Sequence, residues 1–255
     1  MKLHHIRNAT FVIEAGELFI LVDPMLGKKG FLPPFTFFRF KQRRNPTVNL
    51  PHNYKLMLEK VTHCIITHQH PDHIDNAAKR FLKEKNIPII CSLKDAKKFE
   101  KDGLNVTHSL KYWDKETFSD GSITGIPARH GYGFIATPMG NVMGFYLELP
   151  NTPSIYISAD TIYTEDVEKV LTELKPDITV MAAGTAQFDI GKPLLMDHDD
   201  IVKFVEKSPK KVYANHMEAL NHCPTTRQGL KNLLEKKGLL EKVYIPEDGE
   251  IMEIK

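Results

Sequence analysis

Three histidines and an aspartate fall within six residues of one another, in the run Thr67-His68-Gln69-His70-Pro71-Asp72-His73. The run follows Val61 to Thr67, a mostly apolar stretch that reads as a buried strand. It precedes Ile74 to Glu84, where Ile74, Ala77, Ala78, Phe81 and Leu82 recur at helical spacing. The histidines are therefore expected on a strand-to-helix turn, within a layered α/β arrangement that carries its functional residues on loops leaving strand ends. Neutral imidazole with carboxylate suits Zn²⁺, Mn²⁺ or Fe²⁺ better than Ca²⁺. On an extended turn His68 and His70 point to one side, whereas Asp72 and His73 fall where the chain starts to coil, so the four can address two adjacent metals. The bland alternative is a solvated histidine cluster ahead of a helix, which this density after a buried strand disfavours.

The remaining chain fits the same architecture. Phe11 to Ile13 and Leu18 to Val22 flank a glycine-bearing turn and predict an opening hairpin. Asp23 to Pro51 holds five prolines and no amphipathic repeat, so a long loop is expected, with the Phe-rich stretch Phe31 to Phe40 as a lid or subunit contact and a basic end at Arg39 to Arg44. Further strands are expected at Ile87 to Cys91, Asn141 to Leu149, Ser154 to Ser158, Asp177 to Met181 and Lys211 to Ala214. Helices are expected at Leu93 to Glu100, Thr164 to Leu174, Asp199 to Glu206 and Thr225 to Glu235. The two halves share a loose strand-rich-then-helical plan, too weak to establish duplication. One domain over residues 1–255 is the simpler reading.

Composition narrows the function classes. Lys and Arg number 34 against 32 Asp and Glu, so no global field draws the chain to nucleic acid. The three cysteines, Cys64, Cys91 and Cys223, form no C-x-x-C pair, which argues against a disulfide framework or a thiolate zinc site and fits a reducing compartment. Charged residues interrupt the first sixteen positions, unlike a signal peptide, and no apolar run approaches the ~20 residues of a membrane span, so a cytoplasmic location is expected.

The segment His68-Gln69-His70-Pro71-Asp72-His73, with Arg129-His130-Gly131, Ser158-Ala159-Asp160-Thr161 and Asn215-His216-Met217 each after an apolar run, resembles the metallo-β-lactamase superfamily over nearly the whole chain. The resemblance implies a four-layer αββα sandwich with two divalent metals at one edge of its sheets, zinc foremost and manganese or iron as alternatives. It implies that His68, His70 and His130 hold one metal, that Asp72, His73 and His216 hold the other, and that Asp160 bridges them. It also suggests that Asp23 buttresses the histidine loop without touching metal. Asp160 in place of cysteine departs from the zinc β-lactamases, and His70 in place of glutamate departs from the diiron oxygen reductases. The small-molecule branch, with ascorbate-phosphate lactonase and N-acyl-phosphatidylethanolamine phospholipase, is the most similar.

On residues alone some roles stay open. His130 could be a surface histidine, Asp160 a helix cap, and His222 competes with His216 as the last ligand. Glu218, Asn221, His222 and Arg227 form a polar set suited to orienting substrate, though Arg227 could equally be a helix-surface cation. His198 reads better as a residue at a helix start than as a proton donor, and His4, His5, His52, His63 and His108 as satisfied polar residues. A charge count explains the expected chemistry: two divalent cations against Asp72, Asp160 and one bound hydroxide leave about +1. The expectation is a hydrolase that cleaves a lactone, ester or phosphoester in a small anionic molecule, with Asp72 and His222 as catalytic groups. Its rivals are a phosphodiesterase or nuclease using Arg39 to Arg44, and a non-catalytic metal sensor or scaffold. Neither a membrane span nor a nucleic-acid partner is expected, and a homo-oligomer is compatible with the chain.

Overall fold

Apolar residues run almost without polar interruption through Phe11 to Ile13, Leu18–Val22, Ile155–Ile157 and Ile178–Ala182, which requires both faces of those strands to be covered. A computed structural model, describing residues 1–254, meets that requirement with two seven-stranded sheets. The first is built from β1 (Lys2–Arg7), β2 (Thr10–Ala15), β3 (Leu18–Val22), β4 (His63–Ile65), β5 (Ile89–Ser92) and β6 (Val106–Leu110). The second comprises β7 (Lys115–Phe118), β8 (Gly121–Pro127), β9 (Met143–Glu148), β10 (Ile155–Ile157), β11 (Ile178–Ala182), β12 (Lys211–Asn215) and β13 (Val243–Tyr244). β14 (Ile251–Glu253) returns to pair with β1.

Strand alternation sorts the core into layers. Phe11 and Ile13 of β2, Ile20 and Val22 of β3, Ile155 and Ile157 of β10 and Tyr213 of β12 meet between the sheets. Their neighbours Val12, Leu21 and Cys64 face outward, onto α1 (Tyr54–Leu58), α2 (Asn76–Glu84) and α3 (Leu93–Lys101). On the second sheet Tyr156, Met181 and Val212 face α4 (Glu165–Lys169), α5 (His198–Lys207) and α6 (Arg227–Lys236). The result is a four-layer αββα sandwich, in which each fully buried Ile or Leu contributes roughly 1.5–3 kcal/mol.

Caps set the helix starts later than apolar spacing alone suggests. Asp75 accepts from Ala78 N at 2.8 Å, so α2 begins at Asn76, and Thr226 accepts from Gly229 N, so α6 begins at Arg227. The helix expected through Leu174 splits: α4 ends at Lys169, and a wider turn over Val170–Leu174 closes with Lys175 N on Val170 O. Residues 23–51 contain no helix or strand, only a bridge between Leu32 and Asn45. Among the described residues, no helix is long and apolar enough to cross a membrane.

Topology brings particular strand ends together. β3, β4, β5 and β6 run parallel, as do β10, β11, β12 and β13, while β8 and β10 share a direction through the antiparallel β9 between them. The carboxyl ends of β3, β4, β8, β10, β11 and β12 therefore project from one edge, where ligands of such sheets gather.

Candidate metal centre

Each residue singled out as a ligand leaves one of those strand ends. His68, His70, Asp72 and His73 follow β4, His130 follows β8, Asp160 follows β10 and His216 follows β12. Several positions here adopt the left-handed backbone region that non-glycine residues avoid: Asp23 (φ 44°), Ala159 (60°), Thr185 (49°), His216 (59°) and Glu218 (61°). Each costs on the order of 1–3 kcal/mol, strain of the kind that concentrates where side-chain direction matters more than stability. His216 is held in place by its N–H on Asn8 O at 3.0 Å, and the Asn8 side chain reaches Asp72 O.

The side chains converge in two sets, His68 with His70 and His130, and Asp72 with His73, Asp160 and His216; within each set the ligand atoms lie within 4.8 Å of one another. Asp160 stands between the sets. Its Oδ2 is 3.4 Å from His130 Nε2, 3.2 Å from His73 Nε2 and 3.4 Å from His216 Nε2.

Surrounding groups fix the imidazole tautomers. His130 Nδ1 is 2.9 Å from Leu194 O, which can only accept, so the proton sits on Nδ1 and the Nε2 lone pair faces the cluster. Thr67 donates its hydroxyl to Asp23 at 2.7 Å and receives His68 Nδ1 at 2.9 Å, while His73 Nδ1 donates to Asp23 at 2.9 Å. These rings crowd together, with His73 Nε2 and His216 Nε2 only 3.1 Å apart and His68 Nε2 3.0 Å from His70 Nδ1.

Burial and charge act differently on the two sets. Burial depresses His68 and His70 and takes His130 to about 4, so these imidazoles are neutral donors. Burial also opposes charge on His73, yet Asp160, Asp23 and Asp72 raise it to about 10, and Asp160 and Asp72 raise His216 likewise. Against their own burial, Asp72 and Asp160 are driven far below the carboxylate range by His73 and His216. Two buried carboxylates with no lysine or arginine in contact call for a cation, and the buried Asp160 Oδ1 has no hydrogen-bond partner among the described residues. Five imidazoles and two carboxylates with such demands fit divalent transition metals.

Asp23 is the hub of this supporting layer, since it also accepts Thr67 N at 2.8 Å. Asp23→Ala is expected to weaken metal affinity roughly 10–100-fold, measured by competition against a chromophoric chelator. Unchanged affinity would leave Asp23 with no part in the centre.

A cavity of about 140 Å³ opens on the cluster, its lining made of His70, Asp72, His130 and Asp160 together with the apolar Phe35, Met139, Phe188 and Leu194. Among the described residues neither lysine nor arginine lines it. His222 forms part of its wall, stacked on Phe188 (5.7 Å, 17°) and edge-on to Phe35 (5.0 Å, 87°). The remaining polar candidates lie elsewhere. Arg227 bonds Glu218, Asp248 and Pro246 O, and Asn221 spends its side chain on Phe35 N, Asn45, Thr36 O and Lys41 O. His198 meets Thr225 Oγ1 at 3.0 Å. His4 pairs with Glu14, and His5 with Tyr213 and Asp248. Lys41 and Arg43 line a separate cavity of about 530 Å³ with Glu218 and Cys223. Of the pocket walls, Phe35 fell in the Phe-rich stretch already singled out, whereas nothing in the sequence pointed to Met139, Phe188 or Leu194.

Comparison with known proteins agrees with this geometry. A family model described as the beta-lactamase superfamily domain matches residues 19–217. UPF0173 protein YddR of Bacillus subtilis (strain 168) is 32% identical over 254 residues, spanning 98% of both chains. A UPF0173 metal-dependent hydrolase of Alkaliphilus metalliredigens is 27% identical, over 80% of this chain and 79% of its own. Among solved structures, a possible metal-dependent hydrolase from Veillonella parvula DSM 2008 superposes with a TM-score of 0.92 at 28% identity, covering 100% of this chain and 99% of the other. An isothiocyanate hydrolase from Delia radicum gut bacteria superposes at 0.90 with 32% identity and the same coverage.

Proposed function

Because the chain belongs to the metallo-β-lactamase superfamily and is a metal-dependent hydrolase, we propose that it hydrolyses a small uncharged carbon electrophile bearing an apolar substituent, at a centre of two divalent metals. The observation that carries this reading is the pocket itself: its lining combines the His/Asp cluster with aromatic and aliphatic side chains, and among the described residues no lysine or arginine lines it to hold an anionic substrate. Isothiocyanate, the substrate class in the name of a structural relative 32% identical to this chain, has that character. Lactones and simple esters come next. The phosphodiesterase reading loses ground because Lys41 and Arg43 line the other cavity.

In this reading His68, His70 and His130 hold one metal, Asp72, His73 and His216 the second, and Asp160 serves both; zinc suits the set first, with manganese and iron as alternatives. Bound there, the metals supply Lewis acidity and a water that is nucleophilic at neutral pH. The chain's own residues do the rest. Phe35, Met139, Phe188 and Leu194 exclude bulk water and seat the substituent, leaving the electrophilic carbon towards Asp160 and His130. Asp72, on the pocket lining, takes a proton from the attacking water, and His222, also on the lining, passes one to the leaving nitrogen or oxygen. For an isothiocyanate the balance is R–N=C=S plus water giving R–NH₂ and carbonyl sulfide. Both protons end on nitrogen and no oxidant is required.

The test is a substrate panel on protein loaded separately with zinc, manganese and iron: methyl and phenethyl isothiocyanate, a γ-lactone, p-nitrophenyl acetate and bis-p-nitrophenyl phosphate. Turnover of the isothiocyanates, with two metals per chain, is expected. Activity confined to the phosphodiester would sink this reading. No turnover at all, with metal loading controlling a partner's binding, would replace it by a sensor.

A further inference from the structure

Two of the pocket's apolar side chains, Phe35 and Phe188, come from segments about 150 residues apart, and a single carboxylate joins those segments. Phe35 lies in the loop 23–51, which has no helix or strand to hold its shape, and Phe188 lies in the loop following β11. Between them, Asp189 accepts Phe37 N at 2.8 Å, Phe38 N at 2.9 Å and Arg39 N at 2.8 Å, together with the Thr36 hydroxyl, and its carbonyl accepts Arg39 Nη2 at 3.2 Å. Successive backbone N–H groups closing on one anion form a nest, and charge-assisted bonds of this kind are about twice as strong as neutral ones. The fastening falls one residue from each ring: Thr36 follows Phe35, and Asp189 follows Phe188. Both rings rest on His222, one edge-on and one stacked. Asn221 separately ties the base of the loop, through Phe35 N and Thr36 O, so the loop has a second anchor that does not involve Asp189.

We propose that Asp189 is a positioning residue that clasps the two loops across His222 and so sets the apolar subsite, which takes a substituent of about phenyl size. The clasp touches neither the metal cluster nor the reacting carbon; it fixes the distance between Phe35 and Phe188. Loss of the clasp therefore weakens binding of the substituent and leaves the chemistry of the centre in place. The assignment of a substituent rests on the reading of the pocket given above, whereas the clasp itself does not.

Asp189→Ala is compared with the intact metal-loaded enzyme, and Asp189→Asn serves as the conservative variant. Three readouts apply. With substrates, the alanine variant is expected to raise KM for phenethyl isothiocyanate about tenfold while kcat for methyl isothiocyanate stays within about threefold, the asparagine variant lying between. Amide hydrogen exchange at Phe37, Phe38 and Arg39 is expected to quicken at least tenfold, with exchange in β10, β11 and β12 unchanged. Ethylbenzene, a probe that needs no turnover, is expected to show saturation-transfer signals with the intact protein and to lose them in the alanine variant. Equal losses on both isothiocyanates, or unchanged discrimination between them, would overturn the specificity role. Unchanged exchange together with unchanged ethylbenzene binding would overturn the clasp, even if neither isothiocyanate proved to be a substrate.

Discussion

Asp160→Ala is expected to reduce bound metal from the two per chain proposed above to one or less and to lower kcat/KM by roughly 10³-fold. The reason is position. A single oxygen, Oδ2, lies within 3.4 Å of imidazole nitrogens from both sets, and the other oxygen is buried without a hydrogen-bond partner among the described residues. Removing the carboxylate leaves Asp72 as the one carboxylate in the set with His73 and His216, so the second metal of the proposed pair would be held by fewer donors and by less negative charge. Metal analysis after exhaustive dialysis decides the point: two metals retained in the alanine variant would remove the bridging role. His216→Ala and His222→Ala make a useful pair alongside it. Loss of the second metal is expected for the former, whereas His222, on the pocket wall, should alter turnover with metal content unchanged.

Gly184→Ala is expected to disrupt the same site through the backbone. A Cβ built at Gly184 falls 2.1 Å from His216 O and 3.1 Å from Cys223 Sγ, closer than any real contact to the carbonyl. The strand-end loop must shift, at a cost of about 1–3 kcal/mol, or roughly 2–4 °C in Tm for each kcal/mol in a chain of this size. His216 already occupies a left-handed conformation and cannot absorb the displacement without turning its ring. Metal affinity should therefore fall more steeply than stability. Thermal unfolding of the metal-free and loaded protein separates the two effects, and a variant with wild-type Tm and wild-type affinity would show that the close approach yields freely.

Local spacing made part of this site legible and left part of it dark. Residues 68 to 73 could be read as a metal-binding turn because four donors lie together beside an apolar strand. His130, Asp160 and His216 each sit alone in the chain, and their grouping came from the family pattern; geometry then places them with the other four. The aromatic wall was half visible, in the Phe-rich stretch, but its Phe188 partner and the Asp189 fastening depend on a contact across about 150 residues that no periodicity records. The polar set beyond His216 shows the opposite limit. Proximity in sequence suggested a substrate-binding cluster, yet Arg227 turns to Glu218 and Asp248 while Asn221 braces the loop.

The fold shows the same division. Central strands announced themselves through continuous apolar runs, whereas β6, β7, β13 and β14 are short or half-exposed at sheet margins and carry weak patterns. β1 escaped for another reason. Its His4, His5 and Arg7 are buried, but each bonds a distant group: His4 meets Glu14, His5 meets Tyr213, and the terminal nitrogens of Arg7 reach the carbonyls of Met25, Gly27 and Val48. A polar residue whose partner lies tens or hundreds of positions away looks like surface until the chain is folded.

Four of the clustered donors hang from the first sheet and three from the second. A nascent chain that has completed only its first half can present His68, His70, Asp72 and His73 and nothing more. With the ligand set proposed above, tight metal uptake must wait until Asn215 and His216 have been synthesised and the two sheets have docked. In that reading the bound metals act as a proofreading rivet. They add stability to chains whose halves have closed in the correct register, and give little to those that have not.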